Sequence, residues 1–275
     1  MTAQIARNLV PILSMLACGA CFGTQTVRSN ASAEASAADV SAKLQCRNAL
    51  GAPESFVNGM SQAYASAYRD LTATPGETGA SVAAKEIVQG KQDALFIYGV
   101  PAEDATSRLR SVYALAISHG MHESSGNPTE GADCTNKPDS SYRPCSYYRQ
   151  PTHSSRAEAG LFQASADSLR SHRILRALWK SYDAHTDRCL ADVFGSGLPN
   201  LKREEFGEGE VKEFQVFTKS CPAFAVEYEA VMLRVNAQHF GPVSRKEARI
   251  ESSCVEMLRQ TESSPRATGA GHPEH

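Results

Sequence analysis

Two short runs hold the residues that could do chemistry. The first is RSVYALAISHGMHESSGN, Arg110 to Asn127, an apolar stretch that ends in a glutamate, two serines and a glycine. The second is EAGLFQ, Glu158 to Gln163. Leu109, Tyr113, Ala116, Gly120 and Glu123 recur at helical spacing, so Glu123 continues the face that turns inward. A carboxyl there sits near the negative end of the helix macrodipole. Burial and dipole both disfavour its charged form, so its pKa should rise. That is what a general acid at neutral pH requires. Ser124, Ser125 and Gly126 should then stop the helix. A metal site is the competing chemistry, because His119, His122 and Glu123 lie together. Zincin helices set two histidines four apart with the glutamate between them. Here the histidines are three apart and the glutamate follows the second, so no metal or other cofactor is expected. His119 reads as a packed or hydrogen-bonded helix residue.

Glu123-Ser124 followed by Gly160-Leu161-Phe162-Gln163 resembles the signature of the lytic transglycosylase and goose-type lysozyme superfamily. The likeness covers residues 105–170, and Val235-Asn236-Ala237 stands where that family typically has Ala-Tyr-Asn. The resemblance implies a substrate, peptidoglycan, and a reaction in which one glutamate, Glu123, serves as acid and then as base. It also implies that Ser124 bonds near the acid and that Gly160 lets backbone approach the glycan. Phe162, Gln163 and Asn236 would complete the binding site. Hydrolytic glycosidases use two carboxyls, so Glu158 and Asp133 are the candidates for a second one; Glu130 and Asp139 are further acids in the same insertion. A protein of this kind that binds peptidoglycan without cutting it would have no need of the acid.

The chain has 275 residues with 28 Lys and Arg against 30 Asp and Glu. Such a balance gives no basic groove for nucleic acid. Residues 1–33 read as an export signal, with Arg7 ahead of the apolar run LVPILSMLACGACF, too short to span a bilayer. Met15-Leu16-Ala17-Cys18 resembles a lipobox, which would make Cys18 the lipidated residue and attach the protein to a membrane; Ala31-Ser32-Ala33 offers cleavage to a free periplasmic or secreted form. Residues 34–44 read as a flexible leader, 45–262 as one catalytic domain and 263–275 as a disordered tail. Cys46, Cys134, Cys145, Cys189, Cys221 and Cys254 form an even set behind the signal, which points to disulfides. Proximity singles out only Cys134 with Cys145.

The elements that must hold Glu123 follow from periodicity. Phe56, Met60, Tyr64, Ala67 and Leu71 mark a helix within 52–71, and a short helix is expected over 83–88. The central helix should start at Pro101 or Asp104. Residues 127–157 read as a long loop stapled by Cys134 and Cys145, with Tyr142, Tyr147 and Tyr148 either covering the core or offering sugars a stacking surface. Helices are expected over 165–182, over 222–235 as an amphipathic element, and from Ser244 or Arg245 through Leu258. The fold class is therefore mainly α, a single lysozyme-like domain with helices packed around the buried helix that carries Glu123. The export reading makes its own prediction: Cys18→Ala should abolish fatty-acid labelling and release the protein from membranes, whereas a mature terminus at Glu34 would refute the lipobox.

Overall fold

The structure, a computed structural model, describes residues 25–73, 79–85, 93–101, 104–134, 143–195, 204–236 and 241–264. Cys18 with the rest of the export signal, Asp139, Tyr142, Ala237 and the tail from residue 265 lie outside the described residues. The chain divides into two units, 1–37 and 38–275. Its helices are α1 (Gln25–Leu50), α2 (Glu54–Ala73), α3 (Ala80–Lys85), α4 (Ala94–Ile97), α5 (Ala105–Ser124), α6 (Cys145–Tyr148), α7 (Arg173–Asp183), α8 (Glu210–Ser220), α9 (Pro222–Val235) and α10 (Ser252–Glu262). Strands β1 (Glu158–Ala159) and β2 (Ala164–Ser165) pair antiparallel, with Glu158 opposite Ser165 and Ala159 opposite Ala164. The mainly α expectation holds.

α5 is built as its sequence suggests. Asp104 caps it, accepting from the backbone N–H of Thr106 at 2.9 Å and of Ser107 at 3.1 Å. Leu109, Val112, Tyr113, Leu115, Ala116 and Ile117 are all buried. Ser125 closes it in the left-handed region, φ 54°, and Gly126 donates its N–H to Gly120 O at 3.2 Å. Against α5 pack α2, α3, α4, α9 and α10. α2 contributes Phe56, Met60 and Tyr64 to the shared core. A second apolar cluster joins Leu175 and Leu178 of α7 and Phe214 of α8 to Phe224 and Tyr228 of α9.

Several expectations need correction. The leader residues 34–44 lie within α1 rather than in loose chain. The stretch is rich in alanine, the strongest helix former, and Cys46 further along is bonded to Cys254 of α10. Residues 165–182 do not form one helix. A 3-10 turn spans Ala166–Arg170, and α7 starts afresh after His172, whose ring accepts from Ile174 N–H at 3.3 Å. Serine hydroxyls take the intervening carbonyls: Ser168 Oγ donates to Ser165 O and Ser171 Oγ to Ser168 O. The last helix begins at Ser252, not at Ser244 or Arg245. Backbone groups between are engaged elsewhere, with Tyr98 Oη donating to Ala248 O at 2.6 Å and Arg249 N–H to Ser118 Oγ at 3.1 Å. Within the expected long loop lie α6 and a 3-10 turn at Ser154–Arg156. Tyr147 stacks on His153 at 3.9 Å, and Tyr148 packs on Phe206, so each ring already has a partner within the protein.

The largest departure is α9. It was expected to be amphipathic, yet every residue from Pro222 to Arg234 is buried. A helix covered all round is a core element. Its charges are each matched: Glu227 accepts from Tyr182 Oη at 2.7 Å and Ala80 N–H at 3.1 Å, and Arg234 Nε lies 3.1 Å from Asp93. Burial of Glu227 raises its pKa.

Three disulfides close the chain: Cys46–Cys254, Cys134–Cys145 and Cys189–Cys221. The Cys134–Cys145 expectation is met, and the set fits an oxidising, non-cytoplasmic compartment. No described helix is long and apolar enough to cross a membrane. The Cys46–Cys254 link spans 208 residues, so replacing both cysteines with serine should cost about 4–5 kcal/mol. Thermal unfolding of that double variant should shift down by many degrees, and an unchanged midpoint would show that the link does not constrain the unfolded chain.

Candidate active site

Glu123 opens into a cavity of ≈ 360 Å³ lined also by Glu158, Phe162, Gln163, Ala164, Ser165, Asp167, Ser168, Glu229, Met232 and Asn236. Four elements converge on it. α5 brings Glu123 in its last turn, β1 brings Glu158, the turn between the strands brings Phe162 and Gln163, and α9 brings Glu229 and Met232 with Asn236 as its C-cap. Glu123, Phe162, Gln163, Asn236 and Glu158, far apart in sequence, thus face one space. Among the described residues the lining includes no lysine or arginine.

Ser124 lies at the end of α5 and Gly160 in the turn between the strands. Ser124 does not line the cavity. Its hydroxyl is buried and lies 3.1 Å from Gly120 O and 2.9 Å from Leu161 O, joining the end of α5 to the strand turn. Gly160, φ 76°, faces α8: a Cβ there would lie 2.7 Å from Thr218 Cγ2 and 3.0 Å from Thr218 O. Its N–H donates to Glu130 O at 2.8 Å, which fixes the insertion to the turn. Gln163 closes the turn, donating through Nε2 to Gly160 O at 3.1 Å. It is 6% exposed, and its Oε1 is buried without a hydrogen-bond partner in this structure. Trp179 lines a separate groove with Asp183, Glu213 and Phe217 and is not part of this cavity.

The surroundings of Glu123 are polar rather than apolar. Its side chain is 21% exposed, and its Oε1 lies 3.2 Å from His119 Nε2. His119 is fully buried; its Nδ1 lies 2.8 Å from Oε1 of Glu229, which is 2% exposed. Phe162 packs against the ring with centroids 5.9 Å apart. Burial opposes charge on the ring, but the Glu229 charge and the bonds to Glu123 and Glu229 outweigh it and raise the His119 pKa to about 9. On the remaining side Gly241, φ 130°, stands so close that a Cβ would lie 3.0 Å from Glu123 Oε1. Asp133 is exposed, and partial desolvation together with the Glu123 charge raises its pKa. Among the described residues no cluster of three His, Cys, Asp or Glu is arranged to hold a metal ion.

Glu229 and Gly241 were not foreseen. Glu229 was hidden in a run read as an ordinary amphipathic helix. The available signal was spacing: Glu229, Met232 and Asn236 fall at i, i+3 and i+7, one face of α9 that includes the Asn already singled out. Gly241 had no sequence signal beyond the helix break Phe240-Gly241-Pro242. Compared with protein-family models, with curated proteins and with solved structures, the chain matches none.

The ring predicts a pH dependence of stability. His119 titrates near 6.5 when unfolded and about 9 when folded, so folding favours its protonated form. That contribution, on the order of 3 kcal/mol, is fully present below pH ~6.5 and lost as pH rises through ~9. The unfolding temperature should therefore fall across this window, and His119→Gln should flatten the slope. A wild-type midpoint that rises with pH there would refute the assignment.

Proposed function

We propose that this protein cleaves the glycan strand of peptidoglycan between N-acetylmuramic acid and N-acetylglucosamine, as a lytic transglycosylase with Glu123 as its single acid and base. The observation that carries this reading is the shared cavity: Glu123 opens beside Phe162, Gln163 and Asn236, the residues named by the resemblance. Glu123 gives a proton to the glycosidic oxygen as the bond to the anomeric carbon breaks. The carboxylate then takes the proton of the muramic 6-hydroxyl as that oxygen attacks the anomeric carbon. The product is a 1,6-anhydro sugar, and no water is consumed. Gln163 and Asn236 on the cavity wall would orient the sugar, and Phe162 would support the turn that carries Gln163.

Two further features fit. A lining that, among the described residues, includes no lysine or arginine suits a neutral sugar chain better than nucleic acid. Three disulfides suit an exported protein, in the periplasm, on the outer membrane through an N-terminal lipid, or secreted. A second reading, hydrolysis on the same scaffold, is favoured by one observation: the Asp133 carboxyl feels the Glu123 charge. Asp133 would then be the partner that activates water, with Glu158 on the cavity wall as the other candidate.

Glu123→Gln keeps the shape and removes the transferable proton. It should fold, bind glycan and lose about 10²–10⁴-fold in the rate of wall cleavage. Gln163→Ala should lose less. Wild-type products should carry anhydro ends by mass spectrometry; reducing ends alone would move the assignment to hydrolysis. A folded Glu123→Gln protein that cuts walls at the wild-type rate would end the glycan-cleaving reading, and binding of walls without cleavage by the wild type would make it a recognition protein.

A further inference from the structure

We propose that Glu229 and His119 form a buried dyad that keeps an imidazolium ring against Glu123, and that this ring directs the reactive carboxylate and offsets the charge it acquires. The catalytic half of the proposal rests on the glycan-cleaving reading; the electrostatic half stands without it.

The geometry leaves few arrangements of protons. Both ring nitrogens of a fully buried histidine meet carboxylate oxygens, Nδ1 at 2.8 Å from Glu229 and Nε2 at 3.2 Å from Glu123. A neutral ring would aim a lone pair at one of the two oxygens unless that carboxyl held a proton. With a proton on each nitrogen, both contacts are donor to acceptor, and both are charge-assisted. The ring's charge then lies against Glu229, a carboxylate only 2% exposed, at 2.8 Å. Two carboxylates meet the ring, Glu229 from α9 and Glu123 from α5 itself, while Glu158 and Asp167 from the strand pair and the turn after it line the cavity that both of them face. Among the described residues no lysine or arginine lines it, and His119 is the cation that these contacts bring to Glu123.

This arrangement resembles in logic a carboxylate, an imidazole and a reactive group in series, with the buried carboxylate fixing which way the ring faces. Nδ1–H stays on Glu229, and Nε2–H stays on Glu123 Oε1. The second oxygen of Glu123 is left for the substrate. When that oxygen delivers its proton to the leaving glycosidic oxygen, the new negative charge lies beside a fixed positive ring and needs no solvent rearrangement. The proton returns to the same oxygen from the attacking hydroxyl. His119 keeps both its protons throughout, so it is a positioning residue and not an acid or base of the reaction. Gly241 belongs to the same device: its missing Cβ leaves room for Glu123 Oε1 to turn towards the ring.

The test is nitrogen NMR of the His119 ring in the full-length protein labelled at histidine, followed across the titration in wild type, Glu229→Gln and Glu123→Gln. Both wild-type nitrogens should be protonated at neutral pH and titrate together near 9. Each substitution should lower that midpoint, Glu229→Gln by at least about one unit. Wall cleavage by Glu229→Gln should show kcat reduced about tenfold or more with KM little changed, and the alkaline limb of its pH profile should move down with the ring. A neutral, single-tautomer ring in the wild type would overturn the dyad. A midpoint unmoved in the variants would do the same, and Glu123→Gln alone gives that answer if Glu229→Gln does not fold. A shifted ring with unchanged kcat and pH profile would overturn the positioning role. A ring that behaves as expected in a wild type that cuts no walls would leave the dyad intact and remove the glycan-cleaving reading instead.

Discussion

A histidine without solvent contact lies between two carboxylates, one buried and one facing a cavity, and much of the molecule is arranged around that contact. Stripping a carboxylate of water costs several kcal/mol unless a counter-charge and good hydrogen bonds replace the lost solvation. Glu229 has both in His119, at 2.8 Å. The pairing only works if α5 and α9 keep a fixed rotation relative to each other, because Glu229 reaches the ring from one helix and Glu123 from the other. The apolar packing of Leu115 and Ile117 beside Val226, Ala230 and Leu233 supplies the cohesion. The buried polar contact selects one register among those the apolar surfaces would tolerate.

The same logic extends along α9. A helix buried on all sides can carry charge only where each charge meets a partner brought by another element. Glu227 has Tyr182 of α7 and the first N–H of α3, Glu229 has His119 of α5, and Arg234 has Asp93, the cap of α4. Each pair ties α9 to a different neighbour. Losing Tyr182, His119 or Asp93 would take a partner from a buried charge on α9, a cost that exceeds a typical surface substitution. The cavity wall formed by Glu229, Met232 and Asn236 is therefore held by contacts spread over the whole length of the helix.

Much of this was legible in the sequence, and the failures have physical causes. α2, α5 and α9 were readable because long stretches repeat their apolar residues with helical period. The start and end of α5 were readable because Asp104 and the Ser-Ser-Gly run are cap residues. The Cys134–Cys145 link was readable from proximity; Cys46–Cys254 and Cys189–Cys221 join residues that only the fold brings together. The 165–182 stretch was misread because periodicity cannot register hydroxyls that compete for backbone carbonyls. The segment before Ser252 was misread because its backbone bonds run to Tyr98 and Ser118, more than a hundred residues away. α9 was called amphipathic because a buried glutamate and an exposed one look alike in sequence. Five residues of the cavity lining could be named in advance; of the other two residues singled out, Ser124 fastens the strand turn to α5 and Gly160 admits Thr218.

Those two tasks explain how a short turn can be precise enough to serve a site. β1 and β2 are two residues each, too little to hold a turn by ladder bonds alone. The Ser124 hydroxyl fixes Leu161, Glu130 O fixes Gly160, and Gln163 bonds back onto Gly160. Phe162 then rests on the His119 ring, so the turn and the histidine constrain each other. Because Ser124 follows Glu123 directly, the bond that anchors the turn also restrains the backbone of the carboxylate it faces. A displacement of the turn would be felt at Glu123 through Ser124 and at His119 through Phe162. The position of Gln163 relative to the Glu123 carboxylate is thus set from both ends.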